Sequence, residues 1–199
     1  MLGKYVLKIL YVALYLGILS ACGPGSPGRM PGSGESGANA LQYGGSSRLL
    51  SNGILELYEA EGYHYNYDIT LTDGSFFPIS YFVGDFLYTY WAAGSDEAEI
   101  YAELFAAGAT FQPGTFTYAP PTSGPGSPLR PGQNYFEEAY VGVDLNGDKE
   151  IGENEELQVT GGTLTVAGSP PNLSVSFDVQ LTNGLRAQGA YSGEFFMPY

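Results

Sequence analysis

Cysteine, histidine and positive charge are scarce in this chain. A single cysteine among 199 residues excludes a disulfide framework and a cysteine-rich zinc site. A single histidine argues against a histidine-based metal or catalytic cluster. Seven basic residues stand against 21 acidic ones, a formal net charge of -14. Binding to nucleic acid through phosphate contacts is therefore excluded. No apolar run reaches the ~20 residues of a membrane-spanning helix. What the chain has in quantity is glycine (29) and tyrosine (17), within 44% hydrophobic residues. That is enough apolar material for one core, in a turn-rich β protein.

The first 22 residues carry an export pattern. Lys4 and Lys8 precede an apolar run from Ile9 to Leu19, about 11 residues long and within the range of a signal-peptide core. The run ends in Leu19-Ser20-Ala21-Cys22. Small residues at 20 and 21 fit a narrow peptidase cleft, and the thiol at 22 can be acylated. These four residues resemble a bacterial lipobox. The resemblance implies cleavage before Cys22, a lipid on Cys22, and membrane attachment through it. Gly23 rather than Asp follows, which by the same resemblance implies the outer membrane. Residues 1–21 are then signal peptide. Residues 22–47, rich in Gly, Pro and Ser, read as a flexible linker. Residues 48–199 are expected to form a single β domain. Without Lys4 and Lys8 the net charge falls from -14 to about -16, too acidic to lie on an anionic membrane surface.

The clearest strand pattern is Tyr63–Thr72. Tyr63, Tyr65, Tyr67, Ile69 and Leu71 alternate with His64, Asn66, Asp68, Thr70 and Thr72, as in a half-buried antiparallel strand. Asp73-Gly74 then predicts a tight hairpin turn. The octet Tyr67–Gly74 recurs as Phe177–Gly184, with four of eight positions identical. Each octet follows an extended run and precedes a similar closing phrase, at 81–86 and 191–195. The expected fold is all-β: an antiparallel sandwich or barrel built from two related meander halves. Further strands are expected at 86–92, 115–118 and 135–143. Residues 95–107 fit a helix by i,i+4 pairs and a strand by alternation, with the β surroundings favouring strand. Pro120–Gly132 holds five prolines and reads as a surface loop. The phrases at 112–118, 162–166 and 189–193 resemble those of β-rich surface lipoproteins of Gram-negative bacteria.

One segment has ligand spacing. In Asp144-Leu145-Asn146-Gly147-Asp148-Lys149-Glu150-Ile151-Gly152-Glu153-Asn154-Glu155, oxygen-bearing side chains alternate and a carboxylate closes the twelfth position. It resembles the EF-hand-type calcium loop. The resemblance puts Asp144, Asn146 and Asp148, the Glu150 carbonyl and Glu155 round a calcium ion. The sixth position calls for Gly and holds Lys149. A bare acidic hairpin is the competing reading.

Elsewhere the chemistry is thin. His64 and Asp68 share a strand face, but no G-x-S-x-G elbow accompanies them. The acidic groups Glu97, Glu99 and Glu103, and Glu137 with Glu138, contain candidate acid pairs for glycoside hydrolysis. Tyr88, Tyr90 and Trp91, and Tyr63, Tyr65 and Tyr67, would suit sugar stacking if exposed. The expected role is a lipid-anchored, non-enzymatic binding or structural protein of the outer membrane, with a glycan or an envelope protein as ligand. A glycan hydrolase and an assembly component accepting a partner strand are the alternatives.

Overall fold

Alternation of apolar and polar side chains builds most of the twelve strands seen in the computed structural model, which describes residues 39–83, 86–94, 97–120 and 131–198. In chain order they are β1 (Ala40–Tyr43), β2 (Ser46–Leu49), β3 (Asn52–Glu61), β4 (His64–Thr72), β5 (Ser75–Val83), β6 (Phe86–Gly94), β7 (Ala98–Ala107), β8 (Gly114–Tyr118), β9 (Tyr135–Val143), β10 (Glu156–Ser169), β11 (Asn172–Leu181) and β12 (Arg186–Phe196). The described residues are all-β, as expected. Cys22, the lipobox-like residues 19–21 before it and most of the proline-rich loop lie outside them.

The pairings close on themselves. The circuit runs β3–β4–β7–β9–β10–β11–β12 and back to β3. Strand β8 wedges between β9 and β10 where these splay, antiparallel to β10 and parallel to β9. Closure leaves no edge in the circuit to solicit wrong partners. The enclosed core takes alternate residues: Ile100, Ala102 and Leu104 from β7, Val175, Phe177 and Val179 from β11, with Phe116 and Phe136 opposite. At the 95–107 ambiguity, strand is observed. Its other face places Glu99, Tyr101 and Glu103 between β4 and β9.

Three expectations are corrected. The linker was expected to run through Ser47, yet β1 and β2 form a hairpin docked on β12, and Leu41 and Tyr43 are buried in the core. Gly189 makes that docking close: a Cβ there would lie 2.3 Å from the Ala40 carbonyl oxygen. The meander repeat holds for its second half, β10–β11–β12, and fails in the first. After β3 and β4 the chain leaves the sheet, and β7 takes the third place beside β4. Strands β5 and β6 form a separate two-stranded sheet. Accordingly Asp73-Gly74 closes no hairpin. The Asp73 carboxylate instead accepts the backbone N–H groups of Glu97 (2.8 Å) and Ala98 (3.1 Å), seating the start of β7. The third correction is burial. Every residue of β4 but Tyr65 is buried, on both faces.

Candidate functional site

The β9–β10 connection is the 144–155 loop. Its ends are fixed by the sheet: Val143 N–H donates to the Glu155 carbonyl (3.2 Å) and Asp144 N–H to that of Glu97 (3.1 Å). Arg48 Nη2 reaches the Asp144 carbonyl at 2.8 Å. Ile151, the apolar eighth position, lies over Gly142, where a Cβ would meet its Cγ2 at 2.9 Å.

Within the loop, backbone donors hold the carboxylates. Asp144 Oδ1 accepts from Gly147 N–H (2.6 Å) and Oδ2 from Lys149 N–H (3.0 Å). Glu155 reaches back: Oε1 accepts from Leu145 (2.8 Å) and Asn146 (3.2 Å), and Oε2 from Gly152 (2.9 Å). Asn146 and Asp148 interlock, with Asp148 N–H on Asn146 Oδ1 (2.8 Å) and Asn146 Nδ2 on Asp148 Oδ2 (2.9 Å). Burial pushes the Asp144 carboxyl up, but the N–H groups of Gly147, Lys149 and Asn146 and the charge of Arg48 outweigh it, and the group sits below its ordinary value. Asp144 is ionised at neutral pH.

Oxygens of Asp144, Asp148 and Glu155 lie within 4.8 Å of one another. Ligands ~2.3–2.6 Å from a calcium ion are at most ~5 Å apart across it, so the three carboxylates fit one such sphere. All donors are hard oxygens. These are three of the five predicted ligand residues. Asn146 is engaged with Asp148, and Glu150 donates its N–H to Asp148 Oδ1 at 3.0 Å. Lys149 takes the left-handed bend itself, at φ 67°, and Gly147 is also positive, at φ 84°. The sixth-position geometry therefore forms without the glycine. A non-Gly residue held there costs about 1 kcal/mol or more. Lys149→Gly is expected to raise the melting temperature by roughly 2–4 °C and to strengthen any calcium response, since it removes a positive charge from the loop. A lower melting temperature would show that the lysine is not strained there.

A second cluster lies on the face of β4 opposite the core, and local sequence does not announce it. Glu56 on β3 pairs across to Asp68 on β4, and Asp68 pairs across to Glu103 on β7. Asp68 Oδ2 accepts from Tyr58 (3.2 Å) and Tyr101 (2.8 Å). Asn66 donates to Glu103 and to the Leu104 carbonyl, and Tyr140 to Glu99 at 2.7 Å. Burial raises the Glu56 carboxyl from 4.5 to about 7. Burial, joined by the charges of Asp68 and Glu56, also holds the Tyr58 phenol above its ordinary range, so it stays a donor.

The remaining candidates disperse. His64 contacts the Gln133 carbonyl (3.0 Å) and the edge of Tyr135. Four residues along a strand separate it from Asp68 by roughly 13 Å, too far for a catalytic hydrogen bond. Tyr67 is in the core, and only Tyr63 of its trio is exposed, so that strand offers no stacking platform. Trp91 packs on Phe196, ring centres 4.6 Å apart. No protein-family model, curated protein or solved structure matches the chain.

Proposed function

We propose that the protein is a lipid-anchored, non-enzymatic binding protein of the bacterial outer membrane, braced by calcium in the 144–155 loop. The observation that carries the binding role is where the fold puts its irregular parts. The circuit is closed, and the acidic loop, the base of the β5–β6 hairpin and the entry of the chain meet at one rim. Asp73 holds 97–98, Glu97 holds Asp144, and Arg48 holds Asp144 from the other side. Rigid scaffolds that gather loops at one rim are built to present them.

The acidic-pair hydrolase has Glu56 and Asp68 as its best candidates, on adjacent strands. Asp68 is only 7% exposed and two tyrosines hold one of its oxygens, so a glycosidic bond has no approach to it. The geometry favours binding. The anchor is tested by acyl labelling in a Gram-negative host. The wild type is expected to take up labelled fatty acid, and Cys22→Ser to take up none. Label retained by the variant overturns the lipid assignment.

A further inference from the structure

The β5–β6 hairpin stands outside the closed circuit, and its two strands pair only with each other among the described residues. From Ser75 to Gly94 it has one charged residue, Asp85, in a chain of net charge -14. It also carries large exposed apolar side chains: Phe82 at 72%, Phe86 at 71% and Leu87 at 59%. Phe82 pairs with Leu87, and Phe86 with Val83, so these three gather at the end away from the barrel connections. An isolated two-stranded hairpin is marginal in water. This one is held near its base, where Trp91 packs on Phe196, and exposes its apolar end.

The base of the hairpin is also where the chain enters the domain. Leu50 N–H donates to the Asn39 carbonyl (2.8 Å), Ser51 N–H to Thr72 (2.8 Å), and Asn52 Nδ2 to Gly74 (2.5 Å), one residue before β5. Cys22 lies about 17 residues before Asn39, at most ~60 Å of chain at full stretch. A nine-residue strand spans roughly 30 Å. A bilayer holding a lipid on Cys22 is therefore within reach of the hairpin end.

We propose that Phe82, Phe86 and Leu87 insert into the interfacial layer of the bilayer that holds the anchor. This rests on the lipid-anchor reading. Aromatic and leucine side chains on a segment with a single charge, Asp85, are what that layer accepts. Charge selects the occupant. A second copy would bring its own strong negative charge, and the β5 edge lacks an N–H at Pro78. A bilayer needs no matching strand register. The hairpin length matters too. Roughly 30 Å of strand exceeds the ~8 Å screening length in physiological salt, so the acidic rim can stay clear of lipid phosphates while the hairpin end touches them.

The test places Phe86→Trp in a Trp91→Phe background and incorporates the acylated protein into phosphatidylcholine vesicles with and without brominated lipid. The tip tryptophan is expected to be quenched by the brominated acyl chains. In a Cys22→Ser background, Phe82→Ser with Leu87→Ser is expected to lower vesicle partition at least tenfold relative to the intact hairpin. An acylated, vesicle-bound protein whose tip tryptophan is unquenched overturns the insertion and leaves the anchor standing. A quenched tip on a protein that takes up no acyl label removes the anchor and leaves the insertion. A concentration-dependent dimer abolished by Phe82→Ser, with the tip unquenched, assigns the hairpin to a second copy and overturns the proposal.

Discussion

Between about pH 4.5 and 7 the folded protein is expected to lose about 2–3 kcal/mol of stability, and Glu56→Gln to keep most of it. Burial raises the Glu56 carboxyl from 4.5 to about 7. Below the lower value both folded and unfolded chains hold the proton, and the group contributes no difference. As pH rises, the unfolded chain gives the proton up first, and the folded state is penalised increasingly until about pH 7, where the penalty is complete. The difference corresponds to about 3 kcal/mol at most, trimmed by the residual exposure of the side chain. Facing Glu56 across the strands are Asp68 and Glu103, and like charges opposite one another are destabilising. Tyr58 and Tyr101 stay protonated throughout and keep donating to Asp68. Glu156, raised by burial and by Glu153, works in the same direction and leaves a residual slope in the variant. Thermal melts at pH 5 and pH 8 should show the wild type falling by roughly 5–10 °C and Glu56→Gln by much less. Parallel falls in both proteins would clear Glu56 of the effect.

That acidic row and the 144–155 loop mark what the sequence discloses and what it hides. The loop is legible because its carboxylates are local. Spacing alone places Asp144, Asp148 and Glu155 in one curl, and the backbone supplies the rest. The row depends on the register of three strands, with the 75–94 hairpin inserted in the chain between two of them. Nothing in the neighbourhood of Glu56 announces Glu103. The same limit explains the failed repeat. Asp73-Gly74 and Asn183-Gly184 have the same local chemistry. Gly184 has positive φ and Gly74 does not, because the Asp73 carboxylate is captured by the N–H groups at 97–98. The linker boundary failed for a related reason. In 40–47 only Leu41 and Tyr43 are strongly apolar, and the surface that buries them is β12, more than 140 residues away. Strand β7 shows the converse. Its i,i+4 pairs and its alternation were equally local, and the open edges of β4 and β9 decided for the strand.

Calcium should raise the melting temperature of the chain by roughly 5–10 °C when present at about a hundredfold excess over its dissociation constant, a gain of about 2.7 kcal/mol in the native state. That ratio alone sets the gain, and the prior ordering of the loop lowers the calcium concentration needed to reach it. Asp144 and Glu155 are buried and fixed by backbone N–H groups, so little ordering remains when the ion enters. Magnesium, which demands a tighter octahedron and keeps its water, is expected to give little of this rise. Asp144→Ala has two effects that must be separated. It strands the N–H groups of Gly147 and Lys149, which lowers the melting temperature even in chelator, since unmet donors cost about 1–3 kcal/mol where buried. It also removes a ligand, which abolishes the increment on adding calcium. The increment is therefore the diagnostic, and Asp148→Asn isolates it. That change keeps the size and one acceptor oxygen. The donor it displaces, Asn146 Nδ2 or the Glu150 N–H, turns to water at this exposed position, so the chelator melt should fall little while the calcium increment shrinks. A protein starting at Ser47 would mislead, because it lacks β1 and the Leu41 and Tyr43 side chains that fill the core. If Asp144→Ala lowers the chelator and calcium melts equally because the wild type has no increment, the loop is a hydrogen-bonded acidic hairpin. The convergence of its three carboxylates would then be the product of the N–H groups alone.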